Sequence, residues 1–222
     1  MNRGAPAAVG PGLADASLLR EPPRTPRGAR RKATLVAAAR TVFERDGYVD
    51  ARVADITAEA GCATGCFYLY FATKEEILHA VLDSVQDDML HPGLGPELAA
   101  AHAPPYTTIE AGIRAYLLAY QRHARLMGLL EQIAAVDPRF AEFRLARSRA
   151  FVERNAQVIA SLQAKGQADG DVDPLQIAPA LSAMVSRLAY QAFCIERGSV
   201  VLDVLVETCT TIWAKTLGLS RD

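Results

Sequence analysis

Helical periodicity is the feature of this sequence that most restricts its fold. Apolar residues recur every three or four positions from about Ala29 almost to the C-terminus, without a convincing alternating strand pattern or an Asn-Gly hairpin signal. Residues at these spacings share one face of an α-helix. The chain is therefore predicted to be all-α.

The first part of the chain predicts three helices, over about residues 29–46, 53–60 and 64–70. The first two end at Gly47 and Gly61, and glycine is the favoured residue just past a helix end. Two short helices that are joined by a tight turn and packed on a preceding amphipathic helix are typical of a helix-turn-helix. The second short helix is then the candidate reader of DNA.

A longer helix over about residues 74–90 is expected to follow, with Thr73 as N-cap and Glu76 completing a capping box. The Pro- and Gly-rich stretch 91–105 reads as a loop. Asp137 and Asp173 each precede a proline, the usual start of a helix. Five more helices are expected over about residues 106–123, 125–136, 138–166, 174–197 and 199–217. The predicted organisation is a tail (1–28), a three-helix helix-turn-helix domain (29–73) and a larger helical C-terminal domain (74–222).

The N-terminal tail is locally basic although the whole chain carries a formal net charge of -1. Up to Lys32 it holds seven basic residues against two acidic ones. Its Ala-, Gly- and Pro-rich composition predicts disorder up to about residue 28. Two interpretations remain open: a solvated extension, or an arm that enters the minor groove of DNA.

The predicted reader helix divides its side chains between two faces. Phe67 and Phe71 are four residues apart and are expected to face the core, whereas Thr64, Tyr68 and Leu69 point elsewhere. The outward residues are the candidates for contact with a DNA groove.

Four segments in this order resemble the tetracycline-repressor (TetR) family over about residues 30–82. They are 38–48 (AARTVFERDGY), 53–56 (VADI), 60–61 (AG) and 67–76 (FYLYFATKEE). The resemblance implies a homodimeric transcriptional regulator, a repressor of a palindromic operator in double-stranded DNA. It also implies that an effector releases the protein from DNA by entering a pocket in the C-terminal domain.

By position, the resemblance places the family's DNA contacts on residues around the reader helix. Lys74 is the strongest candidate for a phosphate contact, and Leu69 could contact only a thymine methyl group. Where the family usually has Ser or Thr caps, this chain has Arg52 and Ala63. A cation at a helix N-terminus is unfavourable unless a phosphate lies nearby, which suggests that Arg52 contacts DNA. The candidate DNA-binding residues are Arg52, Thr64, Gly65, Cys66, Tyr68, Leu69, Tyr70 and Lys74.

Aromatic, sulfur and polar residues on the C-terminal helices are candidates for an effector pocket, and as a set they imply a small apolar effector. They are Tyr116, Tyr120, Met127, Phe143, Phe151, Asn155, Met184 and Arg187. The last two helices are expected to form a four-helix dimer interface with their partners. The expected seam is Leu181, Val185, Leu188, Val204, Leu205, Ile212 and Trp213.

Two alternatives from other functional classes remain at this point. The C-terminal domain could serve only dimerisation or protein binding, so that DNA binding would not depend on an effector. The second alternative is an all-α enzyme, although the sequence shows no recognisable pairing of a nucleophile with a general base.

Metal and cofactor chemistry finds little support. Cys62 and Cys66 have no third metal ligand nearby, and we interpret them as small buried residues. The histidines are dispersed along the sequence. No metal or cofactor is therefore expected. No apolar run approaches the length of a membrane helix. A reducing cytoplasm is the expected location.

Overall fold

The all-α prediction is confirmed. A computed structural model describes residues 25–90, 104–197 and 200–221, and these form nine α-helices and one π-helical segment without a strand. The helices are α1 (Pro26–Asp50), α2 (Val53–Glu59), α3 (Thr64–Tyr68), α4 (Lys74–Leu90), α5 (Pro105–Arg122), α6 (Ala124–Ala134), α7 (Pro138–Ala164), α8 (Pro174–Tyr190), the π segment (Gln191–Ile195) and α9 (Leu202–Thr216).

Several predicted helix boundaries are found in place. Gly47 interrupts α1 with φ +77°, a backbone conformation that glycine adopts without strain. The Asp137 and Asp173 side chains accept hydrogen bonds from Arg139 N and Leu175 N, both at 2.9 Å. These carboxylates therefore cap α7 and α8 as expected.

Other boundaries differ from the prediction. The first helix begins at Pro26 rather than at residue 29, because the Thr25 hydroxyl accepts a hydrogen bond from Gly28 N at 3.1 Å and caps it. Residues 26–28 thus belong to α1 and not to the tail. The capping box of α4 is shifted: Glu76 N donates to the Thr73 hydroxyl, but the Glu76 carboxylate accepts from Ala72 N.

The N-terminal core holds the reader helix in place. Leu35, Val42, Ile56 and Phe67 are fully buried, and α1 packs on both α2 and α4. Burial of such side chains contributes roughly 1.5–3 kcal/mol each. The short helices α2 and α3 therefore depend on α1 and α4 for their position.

Two groups of contacts dominate the packing of the C-terminal helices. α7 packs on both α8 and α6, and α5 packs on α9. α4 also contacts α5, so it joins the two halves of the chain. None of the helices described is long and apolar enough to span a membrane.

Some expectations fall outside the described residues. They are the tail up to residue 24, nearly all of the loop at 91–105 and the helix break at Gly198.

Candidate nucleic-acid interface and internal cavity

The reader helix α3 is anchored through its aromatic side and exposed on the other. Phe67 and Phe71 are fully buried, with ring centroids 5.8 Å apart. Tyr68 is 48% exposed and Leu69 70% exposed, and Thr64 is exposed at the start of the helix. An exposed Leu directly beside an exposed Tyr gives this surface an apolar and hydrogen-bonding character that suits a DNA groove.

The remaining predicted contacts, in α3 and just after its end, differ in accessibility. Gly65 is exposed, whereas Cys66 and Tyr70 are half-buried. Burial raises the pKa of the Cys62 thiol, and its hydrogen bond with Cys66 raises it further. Cys62 is thus a weak nucleophile, which favours the reading of this pair as packing residues.

Arg52 occupies the N-cap position of α2 and is exposed. The Asp55 carboxylate accepts a hydrogen bond from Arg52 N at 3.1 Å, which is one half of a capping box. A guanidinium has no acceptor, so the other half is missing. α2 therefore begins with an uncapped amide and a positive charge.

Arg52→Thr is expected to raise the stability of the free protein by about 1 kcal/mol, because Thr supplies the missing cap and removes the unfavourable charge. The same change is expected to weaken DNA binding, most strongly at low salt. Urea denaturation and DNA titration at two salt concentrations measure the two effects. Arg52→Lys is the control, since it keeps the charge without the cap; a Thr variant that binds DNA as tightly as wild type would exclude a phosphate contact.

Lys74 lies in a different environment from the one expected of a phosphate ligand. Its Nζ donates to the carbonyl oxygens of Tyr48 at 2.6 Å, Ala51 at 2.9 Å and Val49 at 3.3 Å. It also lies 4.4 Å from the centroid of the Tyr48 ring. All three N–H groups of the ammonium are thus engaged, and Lys74 ties the start of α4 to the last residues of α1 and to the turn before α2.

A buried histidine joins the N-terminal helices to the C-terminal ones. His123 is 5% exposed; its Nδ1 lies 3.0 Å from Arg40 Nη2 and its Nε2 lies 2.7 Å from Asp88 Oδ2. Because a guanidinium only donates, these partners assign a neutral imidazole with its proton on Nε2. The hydrogen bond from His123 lowers the pKa of Asp88. We call Arg40, Asp88 and His123 the junction triad.

His123→Leu is expected to lower the free energy of unfolding by about 1–3 kcal/mol, because it removes two hydrogen bonds between a buried imidazole and partly exposed charged groups. Arg122→Leu is the matched control: Arg122 Nη2 lies 3.7 Å from the same Asp88 carboxylate but is 60% exposed. That surface pair should contribute less than about 1 kcal/mol. Urea denaturation measures the free energy of unfolding of both variants. If both lose the same amount, the triad contributes no more to stability than a surface ion pair does.

The C-terminal helices enclose a cavity of about 400 Å³, a size that suits a small organic ligand. Its walls come from α5, α6, α7, α8 and α9. Of the predicted pocket residues, those that line it are Tyr116, Tyr120, Phe151, Asn155 and Arg187. A second, larger groove of about 1200 Å³ lies between α1, α6 and the π segment and is separate from this cavity.

Three predicted pocket residues do not line this cavity. Met127 and Phe143 are buried in the helix core, and Phe143 packs edge-on against the His79 ring at 5.4 Å. Met184 is half-buried on α8. Several lining residues were not predicted, among them Glu131, Arg144, Arg147, Arg154, Ser186 and Trp213. Arg147 carries a recognisable signal, because it stands four residues from both Phe143 and Phe151 on an otherwise apolar stripe.

The predicted dimer seam is only partly available. Leu181, Val185, Leu205 and Trp213 are buried within the subunit and therefore cannot form an external seam. Val204 and Ile212 are exposed, and Leu188 is half-buried. Leu205 and Trp213 lie on the stripe of α9 that faces α5 of its own chain, and Leu181 and Val185 lie on α8, which packs on α7. The expectation of an external seam is therefore wrong for these four residues.

Comparison with family models gives two matches that follow the division of the chain. Residues 35–81 match the model of "Bacterial regulatory proteins, tetR family", and residues 109–217 match "Transcriptional regulator EthR, C-terminal domain". The first match contains all eight candidate DNA contacts. The second contains nearly the whole cavity lining.

Relatives and solved structures agree with these models. The HTH-type transcriptional regulator EthR of Mycolicibacterium smegmatis is 25% identical over 202 residues, which cover 87% of this chain and 93% of the relative. EthR of Mycobacterium tuberculosis is 26% identical over 198 residues, 86% and 89% of the two chains.

Two solved structures show the same fold. SmeT, the repressor of the Stenotrophomonas maltophilia multidrug efflux pump SmeDEF, has TM-score 0.66 and 19% identity, with 84% of this chain and 89% of that one covered. The fatty acid degradation regulator FadR of Bacillus halodurans has TM-score 0.66 and 17% identity, with 86% and 96% covered. At this identity the likeness concerns the fold alone.

Proposed function

The chain belongs to the tetR family of bacterial regulatory proteins, and we propose that it is a homodimeric repressor that leaves a palindromic operator when a small molecule enters its C-terminal cavity. It is a DNA-binding transcriptional regulator and not an enzyme. The observation that carries the proposal is the cavity of about 400 Å³ in the same chain as an exposed reader helix. The cytoplasm, where operator DNA lies, is the proposed location.

The proposed DNA surface follows the exposed side of α2 and α3. Exposed Tyr68 and Leu69 are placed to enter the groove, and Thr64, Gly65 and Arg52 to contact its edges. Tyr70 and Cys66 are half-buried and contribute less surface. The proposed role of Lys74 is to support this surface through its contacts with the Tyr48 and Ala51 carbonyl groups.

The proposed dimer uses the exposed side of α9 together with α8. Val201, Val204 and Ile212 are 63%, 57% and 40% exposed. Apolar side chains grouped in this way favour burial against a second surface. A two-fold axis through this face would present two reader helices to one palindrome.

The proposed response to an effector is a shift between two arrangements of the dimer, one of which spaces the readers for adjacent major grooves. An effector that prefers the other arrangement releases DNA. The junction triad, α4 and the packing of α1 on α6 connect the cavity helices to the reader unit.

A small-molecule screen tests this proposal. Compounds that raise the thermal melting temperature of the free protein are expected to include some that also release it from its operator. If stabilising compounds occupy the cavity and operator affinity never changes, the C-terminal domain serves only assembly or protein binding and the repressor mechanism is wrong.

A further inference from the structure

A buried arginine in the cavity wall lacks a charged partner. Arg147 is 6% exposed and lines the cavity from α7. Its Nε is buried without a hydrogen-bond partner, its Nη1 donates to Met89 Sδ, a weak acceptor, at 3.7 Å, and the uncharged Tyr116 hydroxyl also interacts with the guanidinium. A buried charge without an opposite charge is costly, so this guanidinium has unused binding capacity.

The other charged residues of the wall do not supply the missing anion. Glu131 lies 3.6 Å from Arg144, and no ion pair among the described residues includes Arg147. Arg154 donates to the Leu90 carbonyl, and the Arg187 guanidinium lies 5.5 Å from the centroid of the Tyr190 ring. The described lining therefore holds four arginines against one glutamate, an excess of positive charge.

The rest of the wall is aromatic, aliphatic or hydroxyl-bearing, apart from Asn155, whose Nδ2 donates a hydrogen bond to the Ser182 hydroxyl. The Phe151 ring centroid lies 5.8 Å from the Arg147 guanidinium and 5.2 Å from the Tyr116 centroid. Burial raises the pKa of Tyr116, so its hydroxyl stays protonated and can donate a hydrogen bond. An apolar enclosure is thus combined with donors at one position and no free acceptor charge.

We propose that the effector is an amphipathic organic anion whose carboxylate-type head binds the Arg147 guanidinium and whose apolar body packs between the aromatic rings of the cavity. The inference rests on the proposed role of the cavity as the effector site. It keeps the apolar body that the sequence implied and adds an anionic head. The planar guanidinium fork matches a carboxylate with two parallel hydrogen bonds.

The only tryptophan of the chain gives a direct readout, because Trp213 lines this cavity. Decanoate, methyl decanoate and decylamine share one alkyl chain and differ in head charge. In a Trp213 fluorescence titration of the wild-type protein, decanoate is expected to bind at least about tenfold more tightly than its ester, and the amine more weakly still. The pair 2-naphthoate and methyl 2-naphthoate repeats the comparison with an aromatic body.

The titration contradicts the proposal if both esters bind as tightly as their acids, if the amine binds best, or if neither acid binds at millimolar concentration. If the protein binds one acid more tightly than the other, the preferred body is identified as alkyl (decanoate) or aromatic (2-naphthoate). The anionic head itself is supported when either acid binds more tightly than its ester.

Arg147→Met tests the assigned group. It is expected to lower decanoate affinity at least about tenfold while methyl decanoate affinity changes less than about threefold. Arg149→Met is the matched control, because Arg149 is exposed on the same helix and does not line the cavity. Arg147→Lys keeps the charge without the fork and is expected to bind decanoate with intermediate affinity, which provides a second test if the Met variant folds poorly. Equal losses in the Arg147→Met and Arg149→Met variants would overturn the assignment.

Operator titration separates this inference from the proposed function. If decanoate binds through Arg147 but leaves operator affinity unchanged, the ligand class stands and effector release fails. If neutral compounds release the operator while neither acid binds, effector release stands and the anionic head is wrong.

Discussion

Val204→Glu is expected to convert the protein to a monomer and to weaken operator binding by about a hundredfold or more, because two linked reader helices bind far more tightly than one. Val204 is 57% exposed on α9, beside the exposed Val201 and Ile212. Two glutamates brought together at a two-fold axis would repel each other and would lose solvation. Analytical ultracentrifugation measures the assembly, and a titration of operator duplex measures the affinity.

Val136→Glu is the matched control for this change. Val136 is 84% exposed at the turn after α6, far in sequence from the proposed seam. The control is expected to remain dimeric and to bind the operator as wild type does. The account of the interface fails if Val204→Glu stays dimeric, or if wild-type protein is a monomer on a palindromic site.

Lys74→Met is expected to lower the free energy of unfolding by about 3 kcal/mol, because three carbonyl groups lose a charged donor. The contacts to Tyr48 and Ala51 fix the segment that leads into α2. Binding to operator and to random DNA should both weaken, since the reader unit loses its support. Urea denaturation and titrations over a range of salt concentrations measure these effects, with exposed Lys165→Met as the control.

The salt dependence of that variant distinguishes two roles for Lys74. If the lysine acts through the carbonyl groups, the slope of log affinity against log salt stays as in wild type. A slope shallower by about 0.9, with unchanged stability, would instead show the single phosphate contact that the family resemblance implies.

Local signals in the sequence were sufficient for the order of the helices. Gly47 breaks α1 and Asp137 caps α7 because backbone conformation and side-chain hydrogen bonding act within a few residues. The start of α1 was misplaced because Thr25-Pro26, itself a cap followed by a first-turn proline, was read as part of the tail. The outward side of α3 followed from the spacing of Phe67 and Phe71.

The partner of an apolar stripe could not be predicted in the same way. Leu205 and Trp213 form a regular stripe on α9, and helical periodicity gives no information on whether such a stripe faces its own chain or a second copy. The contacts of Lys74 and the junction triad join residues more than twenty positions apart, so only the tertiary structure brings them together. The sequence shows that Arg147 is a charged residue on an apolar stripe, but it does not show that no acidic side chain pairs with it.

In vitro selection of duplex DNA by the wild-type protein tests the central claim most directly. The account predicts enrichment of a palindromic motif, with two half-sites about one helical turn apart and two subunits bound per site. Loss of that enrichment in a Tyr68→Ala variant that melts like wild type would place the reading surface on α3. A selection that enriches no motif, or a motif without two-fold symmetry that binds one subunit, would contradict the account.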